Sequence, residues 1–248
     1  MVSFKDTKQE GEFYQDYGRF VHYHTPSQLI RYYSNFFLYD EVPDLATFKA
    51  DEKLQSDFHE ARGQHHLLFI FPDNVELPHD LMLYAESASY KLEKMELYRT
   101  DNLTLKKRSG DVKVVSENDE IFADFLKVCR AGELEYGEEF ADLKEEMHTR
   151  DLEDDSIIQL VAYHEDQPVG KLEAIINESI IELDDFYVLE GFRGLGIGSA
   201  LQQQVLTFGK SLLLIADGND TPREMYERQG YRKISERYEL LKVKSSSD

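Results

Sequence analysis

A glycine-rich stretch at residues 193–198, Arg-Gly-Leu-Gly-Ile-Gly, constrains the fold more than any other part of the chain. The preceding residues 180–188 are apolar and β-prone, whereas residues 197–206 carry apolar side chains at helical spacing. The glycines therefore lie at a strand-to-helix junction, where backbone N–H groups and the positive end of the helix dipole suit a phosphate. Glycine also permits positive φ and a close approach to the backbone. Taken alone, the stretch is equally compatible with a tight loop.

Two familiar phosphate-binding loops do not match this stretch. A Walker loop ends in Gly-Lys-Ser/Thr, but Gly198 is followed by Ser199 and Ala200. A dinucleotide-binding loop has the spacing G-x-G-x-x-G, with an acidic residue about twenty residues later. Here an arginine opens the motif and the third glycine comes too early. The pattern Arg-x-x-Gly-x-Gly resembles instead the acyl-CoA pyrophosphate loop of the GNAT superfamily of N-acetyltransferases.

A second motif follows in the order that the GNAT resemblance requires. Residues 212–216 predict a buried strand, and residues 217–222 have the composition of a turn. Pro222, where the family often has alanine, would open a helix over 223–229 that stops at Gly230. The superfamily's second signature resembles an Asn, a Tyr seven residues later, and a Gly and an aromatic residue four and five residues after that. The matching residues are Asn219, Tyr226, Gly230 and Tyr231.

The resemblance covers roughly residues 103–243 and implies an α/β (α+β) fold. Helices are predicted within 119–148, and strands at 157–163 and 169–176 form a hairpin. The resulting order of elements is that of GNAT proteins. We therefore predict a GNAT-like mixed, mostly antiparallel sheet flanked by helices in a domain of residues 101–248. The resemblance also implies that the sheet opens where the glycine loop meets the neighbouring strand.

Residues 1–100 predict a smaller α+β N-terminal domain of unknown role. Both halves of the sequence contain a helix followed by a strand, with an aromatic residue where the strand starts. The residues that correspond are Pro78, Tyr84 and Tyr90 in the first half and Pro222, Tyr226 and Tyr231 in the second, at different spacings. Our hypothesis is that the first half is a degenerate half-copy of the GNAT unit without a glycine loop. Chance similarity is the alternative.

The charge of the chain bears on its partners. Its 49 acidic and 28 basic residues give a formal net charge of −21. Nucleic-acid binding needs a concentrated basic surface, so no nucleic-acid partner is expected. The acidity would draw a cationic substrate toward a cleft, but it is equally typical of a surface that only confers solubility.

The sequence predicts a cytoplasmic location. No window reaches about 18 consecutive apolar residues, so no membrane partner is expected. The N-terminus lacks the basic-then-apolar layout of a signal peptide. Cys129 is the single cysteine, which fits a reducing compartment, and we expect it to be a small buried hydrophobic residue rather than a catalytic thiol. The oligomeric state stays open between a monomer and a homodimer.

The GNAT resemblance implies acetyl-CoA as the cosubstrate. Backbone N–H groups of the glycine loop would hold its pyrophosphate, and an N–H near the end of the preceding strand would face the thioester oxygen. No metal is expected, because His59, His65 and His66 have neither the spacing of a helical pair nor a carboxylate partner. The expected CoA-binding residues are Val188, Arg193, Gly194, Gly196, Ile197, Gly198, Ser199, Asn219, Arg223 and Tyr226.

Acyl transfer to an amine also requires proton transfers, because an alkyl amine is mostly charged at neutral pH. Glu182 and Asp184 share one face of the predicted strand, whereas Asp185 would face the other way. Either Glu182 or Asp184 is a candidate general base; solvated strand carboxylates and positioning without a dedicated base are the alternatives. Tyr226 is the candidate general acid for the departing thiolate, with a plain packing tyrosine as the alternative.

The predicted function is therefore an N-acetyltransferase that moves an acetyl group from acetyl-CoA to a primary amine of a small molecule or peptide, by direct attack in a ternary complex. The resemblance implies that residues 133–155 wall the amine site. Their carboxylates would favour a cationic amine, unless they form only a solvated helix face. The alternative function is a catalytically silent acyl-CoA-binding module.

Overall fold

The computed structural model describes residues 2–105, 110–115, 120–219 and 223–244. The chain forms two compact units. The N-terminal unit comprises Met1–Leu97, Ala216–Thr221 and Lys233–Asp248, and the C-terminal unit comprises Tyr98–Ile215 and Pro222–Arg232. The division into residues 1–100 and 101–248 stays a prediction. Pro222 lies outside the described residues.

Six α-helices and eleven strands span the described residues. In chain order they are β1 (Phe13–Asp16), β2 (Phe20–His24), β3 (Asn35–Tyr39), α1 (Leu45–Glu60), β4 (His66–Ile70), α2 (His79–Ser87), β5 (Lys91–Thr100), β6 (Asp111–Val114), α3 (Glu120–Glu133), α4 (Glu138–Asp151), β7 (Ile157–His164), β8 (Gln167–Ile176), β9 (Ile180–Val188), α5 (Ile197–Leu206), β10 (Ser211–Asp217), α6 (Arg223–Gln229) and β11 (Arg232–Val243). None of the helices in the described ranges combines the length and the apolarity needed to cross a membrane.

The N-terminal unit is built on strands in the order β1-β2-β3-β4-β11-β5. Strands β1, β2 and β3 form an antiparallel meander, β4 lies parallel to β3, and β11 lies antiparallel to β4. Helix α1 begins at the cap residue Asp44, whose carboxylate accepts the Thr47 N–H. It buries Phe48 among the aromatic side chains of the sheet, including Phe37 and Phe69. Aromatic burial therefore provides most of this core.

The C-terminal unit carries strands in the order β10-β9-β8-β7-β6. The predicted hairpin is confirmed as β7 and β8, and its turn uses positive φ at Glu165 and Asp166. Neighbouring residues of β8 face opposite sides of the sheet. A Cβ at Gly170 would meet Ile197 of α5, whereas Lys171 lies over the Phe125 ring of α3. Helices α3 and α5 therefore cover opposite faces, which confirms the predicted mixed sheet flanked by helices.

One succession of elements occurs in both units. In the first, the meander β1-β2-β3 is followed by α1, the parallel strand β4 and α2. In the second, the meander β7-β8-β9 is followed by α5, the parallel strand β10 and α6. The Tyr90 N–H donates to Ala85 O at 2.9 Å after α2, and the Tyr231 N–H donates to Tyr226 O at 3.0 Å after α6. The recurrence agrees with an internal half-copy, which stays a hypothesis beside chance similarity.

The described part of the N-terminal unit contains four buried histidines. His22, His24, His59 and His66 are all buried, and neither ring nitrogen of His22 has a hydrogen-bond partner within the described residues. Burial lowers the pKa of His22 to about 3, that of His59 to about 4 and that of His66 to about 3. These rings are therefore neutral in the folded unit, where charging them would leave an unsolvated cation.

The histidines predict that the N-terminal unit loses stability in acid. Unfolded histidine has a pKa near 6.5, so between that pH and the lower folded pKa the unfolded state binds more protons. Stability is then complete above about pH 6.5 and falls as the pH decreases, by about 1.4 kcal/mol per pH unit for each titrating histidine. His22→Phe should flatten this dependence by about one proton, whereas the exposed His79→Phe should not. Denaturant-dependent hydrogen exchange of the β2–β4 amides between about pH 4.5 and 7.5 measures the stability of both variants. If stability depends on pH as steeply in His22→Phe as in the parent, His22 is not the buried neutral group assigned here.

Candidate functional site

The glycine loop lies against a cavity of about 530 Å³ in the C-terminal unit. The end of β9, the loop itself, the first turn of α5 and one side of α6 form its walls. The lining residues are Thr104, Leu105, Phe186, Val188, Phe192, Arg193, Gly194, Gly196, Ile197, Gly198, Ser199, Gln202, Met225, Tyr226, Arg228 and Gln229.

Each glycine of the loop has a physical role. Gly194 and Gly196 have φ of 76° and 95°, in the left-handed region that other residues avoid. Gly196 is also the N-cap of α5 and has no side chain to cap the first turn, so that turn can present its N–H groups to a ligand. A Cβ at Gly198 would lie 2.9 Å from Phe186 Cζ, so a larger residue at this position would displace the Phe186 ring from the start of α5.

Strands β9 and β10 pair over a short distance. Their parallel register joins Ser211, Leu212 and Leu213 to Ile180, Ile181 and Glu182, whereas β8 stays paired with β9 as far as Val188. Beyond Glu182, the edge of β9 that β10 no longer covers therefore lies at the cavity. Phe186 and Val188 line the wall there.

Arg193 connects the loop to the end of β9. Its Nε donates to Val188 O at 3.0 Å, and its guanidinium lies 5.6 Å from the centre of the Tyr187 ring. The arginine that opens the motif therefore holds the loop in place through its own chain, in addition to any contact with a ligand.

Helix α6 brings Tyr226 to the cavity. Its ring lies 5.6 Å from the ring of Tyr98 and 5.9 Å from that of Tyr231, measured between centroids. Tyr231 donates from its hydroxyl to Gln202 Oε1 at 2.8 Å. Tyr226 is therefore supported by aromatic packing and also faces the cavity.

Eight of the residues predicted from the sequence come together at this cavity: Val188, Arg193, Gly194, Gly196, Ile197, Gly198, Ser199 and Tyr226. Four others do not line it. Asn219 lies in an exposed turn, where its own N–H donates to Asp217 Oδ1. Arg223 forms an ion pair with Glu227 along α6. Glu182 is buried and Asp184 half-buried in β9.

The face assignments of β9 need one correction. Residues directly opposite in an antiparallel pair share a face, so the Asp184–Glu173 pair and the Glu182–Ile175 pair place both candidate bases on the α3 side. Gly170 stands opposite Val188, on the α5 side. Asp185 was expected to face away from Asp184, but it contacts Lys171 and Lys144 on the α3 side. The reason is an irregularity in the β8–β9 register and a positive φ of 47° at Asp185.

A buried ionic network on the α3 side was missed by the sequence analysis. His148 of α4 pairs through Nε2 with Glu133 at 2.7 Å and through Nδ1 with Glu173 at 2.8 Å. The only hint in the sequence is that Lys171 and Glu173 interrupt an otherwise apolar strand. The sequence does not show that helices cover both faces of this strand and therefore bury these two side chains. Cys129 is buried beside this network, as expected.

The network fixes protonation states. Burial by itself lowers the pKa of His148, but hydrogen bonding with Cys129, Glu133 and Glu173 outweighs it and raises the pKa to about 11. Burial likewise opposes ionisation of Glu173, yet His148 holds the pKa of that carboxyl below its usual value. Cys129, Glu133 and His148 are metal-ligand types with donor atoms within 4.8 Å of one another, but the network's lysines and imidazolium already balance its carboxylates.

The raised pKa of His148 predicts that stability also falls at high pH, opposite in direction to the effect of the N-terminal histidines. Because the folded pKa is raised, the stabilisation is complete below about pH 6.5 and is lost as the pH rises toward 11. His148→Gln leaves two buried carboxylates without their cation and should cost about 3–5 kcal/mol near neutral pH. The difference from the parent should shrink by about 1.4 kcal/mol per pH unit above pH 6.5. Urea unfolding from about pH 6 to 10 measures it, with the exposed His65→Gln as control; a constant difference across this range contradicts the prediction.

Sequence comparisons divide the chain in two. Residues 120–231 match the model described as the acetyltransferase (GNAT) family, and residues 2–98 match a domain of unknown function, DUF5613. No curated protein matches the chain.

Solved structures resemble the whole chain. A functionally unknown conserved protein from Staphylococcus epidermidis ATCC 12228 is 31% identical, with 98% of each chain covered and a TM-score of 0.88. A GCN5-related N-acetyltransferase from Kribbella flavida is 14% identical over 93% of this chain and 89% of its own, with a TM-score of 0.58. A tandem GNAT protein from the clavulanic acid biosynthesis pathway is 10% identical over 86% and 76%, with a TM-score of 0.54. At such low identities the last two show the fold alone.

Proposed function

We propose, from the premise that this chain belongs to the acetyltransferase (GNAT) family through residues 120–231, that it transfers an acetyl group from acetyl-CoA to a primary amine. The amine belongs to a small molecule or a peptide. The observation that carries the proposal is that the uncapped first turn of α5, the open side of β9 and Tyr226 face one cavity.

The glycine loop supplies the cosubstrate site in this proposal. Backbone N–H groups of Gly194, Gly196, Ile197, Gly198 and Ser199 bind the pyrophosphate at the positive end of α5. Two of these glycines have backbone angles that keep the loop in its left-handed path. Apolar lining from Phe186 and Met225 then packs against the pantetheine arm.

The reaction is a direct attack of the amine nitrogen on the thioester carbonyl carbon. The C–N bond forms, the C–S bond breaks, the nitrogen loses a proton and the thiolate gains one. The backbone N–H near Val188 faces the carbonyl oxygen, and such a donor is typically worth about 100-fold or more in rate. Tyr226 donates the proton to the sulfur.

Strand β9 carries two candidates for the general base. Glu182 and Asp184 both face the α3 side of β9 and do not line the cavity, so either would act through water on an amine approaching from that side. Asp185 is a poor base: burial raises its pKa, but Lys171, Lys144 and His148 outweigh burial and hold the pKa well below its usual value. Positioning of a neutral amine is the remaining route.

A screen of amines against acetyl-CoA tests the function. The purified 248-residue chain should release free CoA thiol with at least one member of a set of small mono- and polyamines and short peptides with free amino termini or lysines. A cationic preference should appear as a higher kcat/KM for polyamines that falls as salt increases. Calorimetric binding of acetyl-CoA without thiol release with any amine would favour the silent binding module instead.

The left-handed loop gives a prediction for cosubstrate affinity. Gly196→Ala places a Cβ at φ 95°, which strains the backbone by about 1–2 kcal/mol, so the Kd for CoA should rise roughly tenfold. Gly191→Ala is the matched control, because a Cβ there meets no atom within 4 Å and its φ is not positive. Titration calorimetry with CoA measures both variants. Equal affinities would remove the glycine loop from the binding site.

The acid assignment gives a prediction for turnover. Tyr226→Phe keeps the ring and its packing against Tyr98 and Tyr231 but removes the hydroxyl. Turnover should fall roughly 100-fold, while the Kd for CoA changes little. Tyr14→Phe is the control, since that side chain is 45% exposed, belongs to β1 of the N-terminal unit and does not line the cavity. Parent-like turnover in Tyr226→Phe would leave the tyrosine a packing residue.

A further inference from the structure

The interior of β9 contains an extra residue. Glu173 of β8 stands opposite Asp184, and Lys171 stands opposite Tyr187, so a step of two residues on β8 spans three on β9. The irregularity coincides with Asp185, whose φ of 47° is left-handed. A non-glycine residue in this conformation persists only where its surroundings fix it.

Two lysines fix Asp185. Lys171 Nζ lies 2.5 Å from Asp185 Oδ1, and Lys144 Nζ lies 2.8 Å from Asp185 Oδ2. Lys171 comes from β8 and is 2% exposed, and Lys144 comes from α4. His148 Nε2 approaches the same Oδ2 at 3.5 Å. The carboxylate is therefore held by groups from two different elements, β8 and α4.

The extra residue decides which side chains reach the cavity. Side chains alternate along a strand, so Asp184, Phe186 and Val188 would share one face in a regular β9. Instead Asp184 faces α3, and Phe186 packs against Gly198 at the start of α5. Val188 also lies on the α5 side and lines the cavity. The change of face occurs at Asp185.

We propose that Asp185 is a positioning residue: its carboxylate, held by Lys171 and Lys144, fixes the extra residue in β9 that turns Phe186 and Val188 toward the glycine loop. For catalysis this rests on the proposed function, in which the Val188 N–H donates a hydrogen bond to the thioester oxygen. Asp185 itself touches neither substrate in this assignment. Burial raises the pKa of the Asp185 carboxyl, but Lys171, Lys144 and His148 outweigh burial and hold it well below its usual value, which suits a fixed anchor and not a proton acceptor.

Asp185→Asn tests the anchor, because asparagine tolerates the left-handed region but lacks the charge. The Val188 amide resonance in a ¹H–¹⁵N spectrum should shift, and turnover should fall about tenfold or more. The Kd for CoA should stay within about threefold of the parent, since the glycine loop is intact. Asp166→Asn is the matched control: Asp166 also has positive φ, at 63°, but lies exposed in the β7–β8 turn. It should leave all three measurements unchanged.

Lys144→Met keeps the test decisive where Asp185→Asn fails to fold, because it retains the Lys171–Asp185 pair. It should shift the Val188 resonance in the same direction by a smaller amount. A folded Asp185→Asn, or Lys144→Met in its place, with a parent-like Val188 resonance or turnover within about twofold of the parent overturns the proposal. If the parent releases no thiol with any amine, the proposed function fails, and the Val188 resonance still decides whether Asp185 positions β9.

Discussion

The early end of pairing between β9 and β10 is the constraint on which the site depends. β10 meets β9 at Ile180–Glu182, but β9 continues to Val188 with β8 as its partner. Backbone N–H and C=O groups need hydrogen-bond partners, so the side of β9 that β10 leaves is available to a ligand. The first turn of α5 presents N–H groups to the same cavity. Main-chain groups from two elements therefore define the site, which explains why glycine is the informative residue type there.

The charges behind β9 specify geometry more than they add stability. Three carboxylates, Glu133, Glu173 and Asp185, face three cations, Lys144, Lys171 and His148. Removing charges from water costs about as much as such pairs return, but an unpaired member is strongly disfavoured. The arrangement is thus stable only when α3, α4, β8 and β9 hold one relative position. The buried network therefore favours one register between β8 and β9 at the point where their pairing is irregular.

The sequence predicts those parts of the structure that depend on residues close together along the chain. The strand–glycine–helix junction, the β7–β8 hairpin and the helix bearing Tyr226 each follow from periodicity and turn composition within a few residues. The irregularity at Asp185 does not, because strict alternation is the only expectation for an isolated strand. It depends on Lys171 and Lys144, which the fold brings to Asp185 from other elements. Asn219 is a similar case. Its spacing matches the motif, but its side chain does not line the cavity, because its position depends on the fold and not on local sequence.

The corresponding helices of the two units begin differently, although the same succession of elements recurs in both. Helix α1 follows β3 as α5 follows β9, so the start of α1 corresponds to the glycine loop. At that start, Asp44 caps the helix, and its carboxylate accepts the Thr47 N–H at 2.7 Å. A carboxylate at this end occupies an amide that a phosphate would use and repels its charge. Where α5 offers Gly196 and open N–H groups, α1 has a closed, negatively charged cap. The same succession of elements is thus compatible with anion binding in the second unit and opposes it in the first.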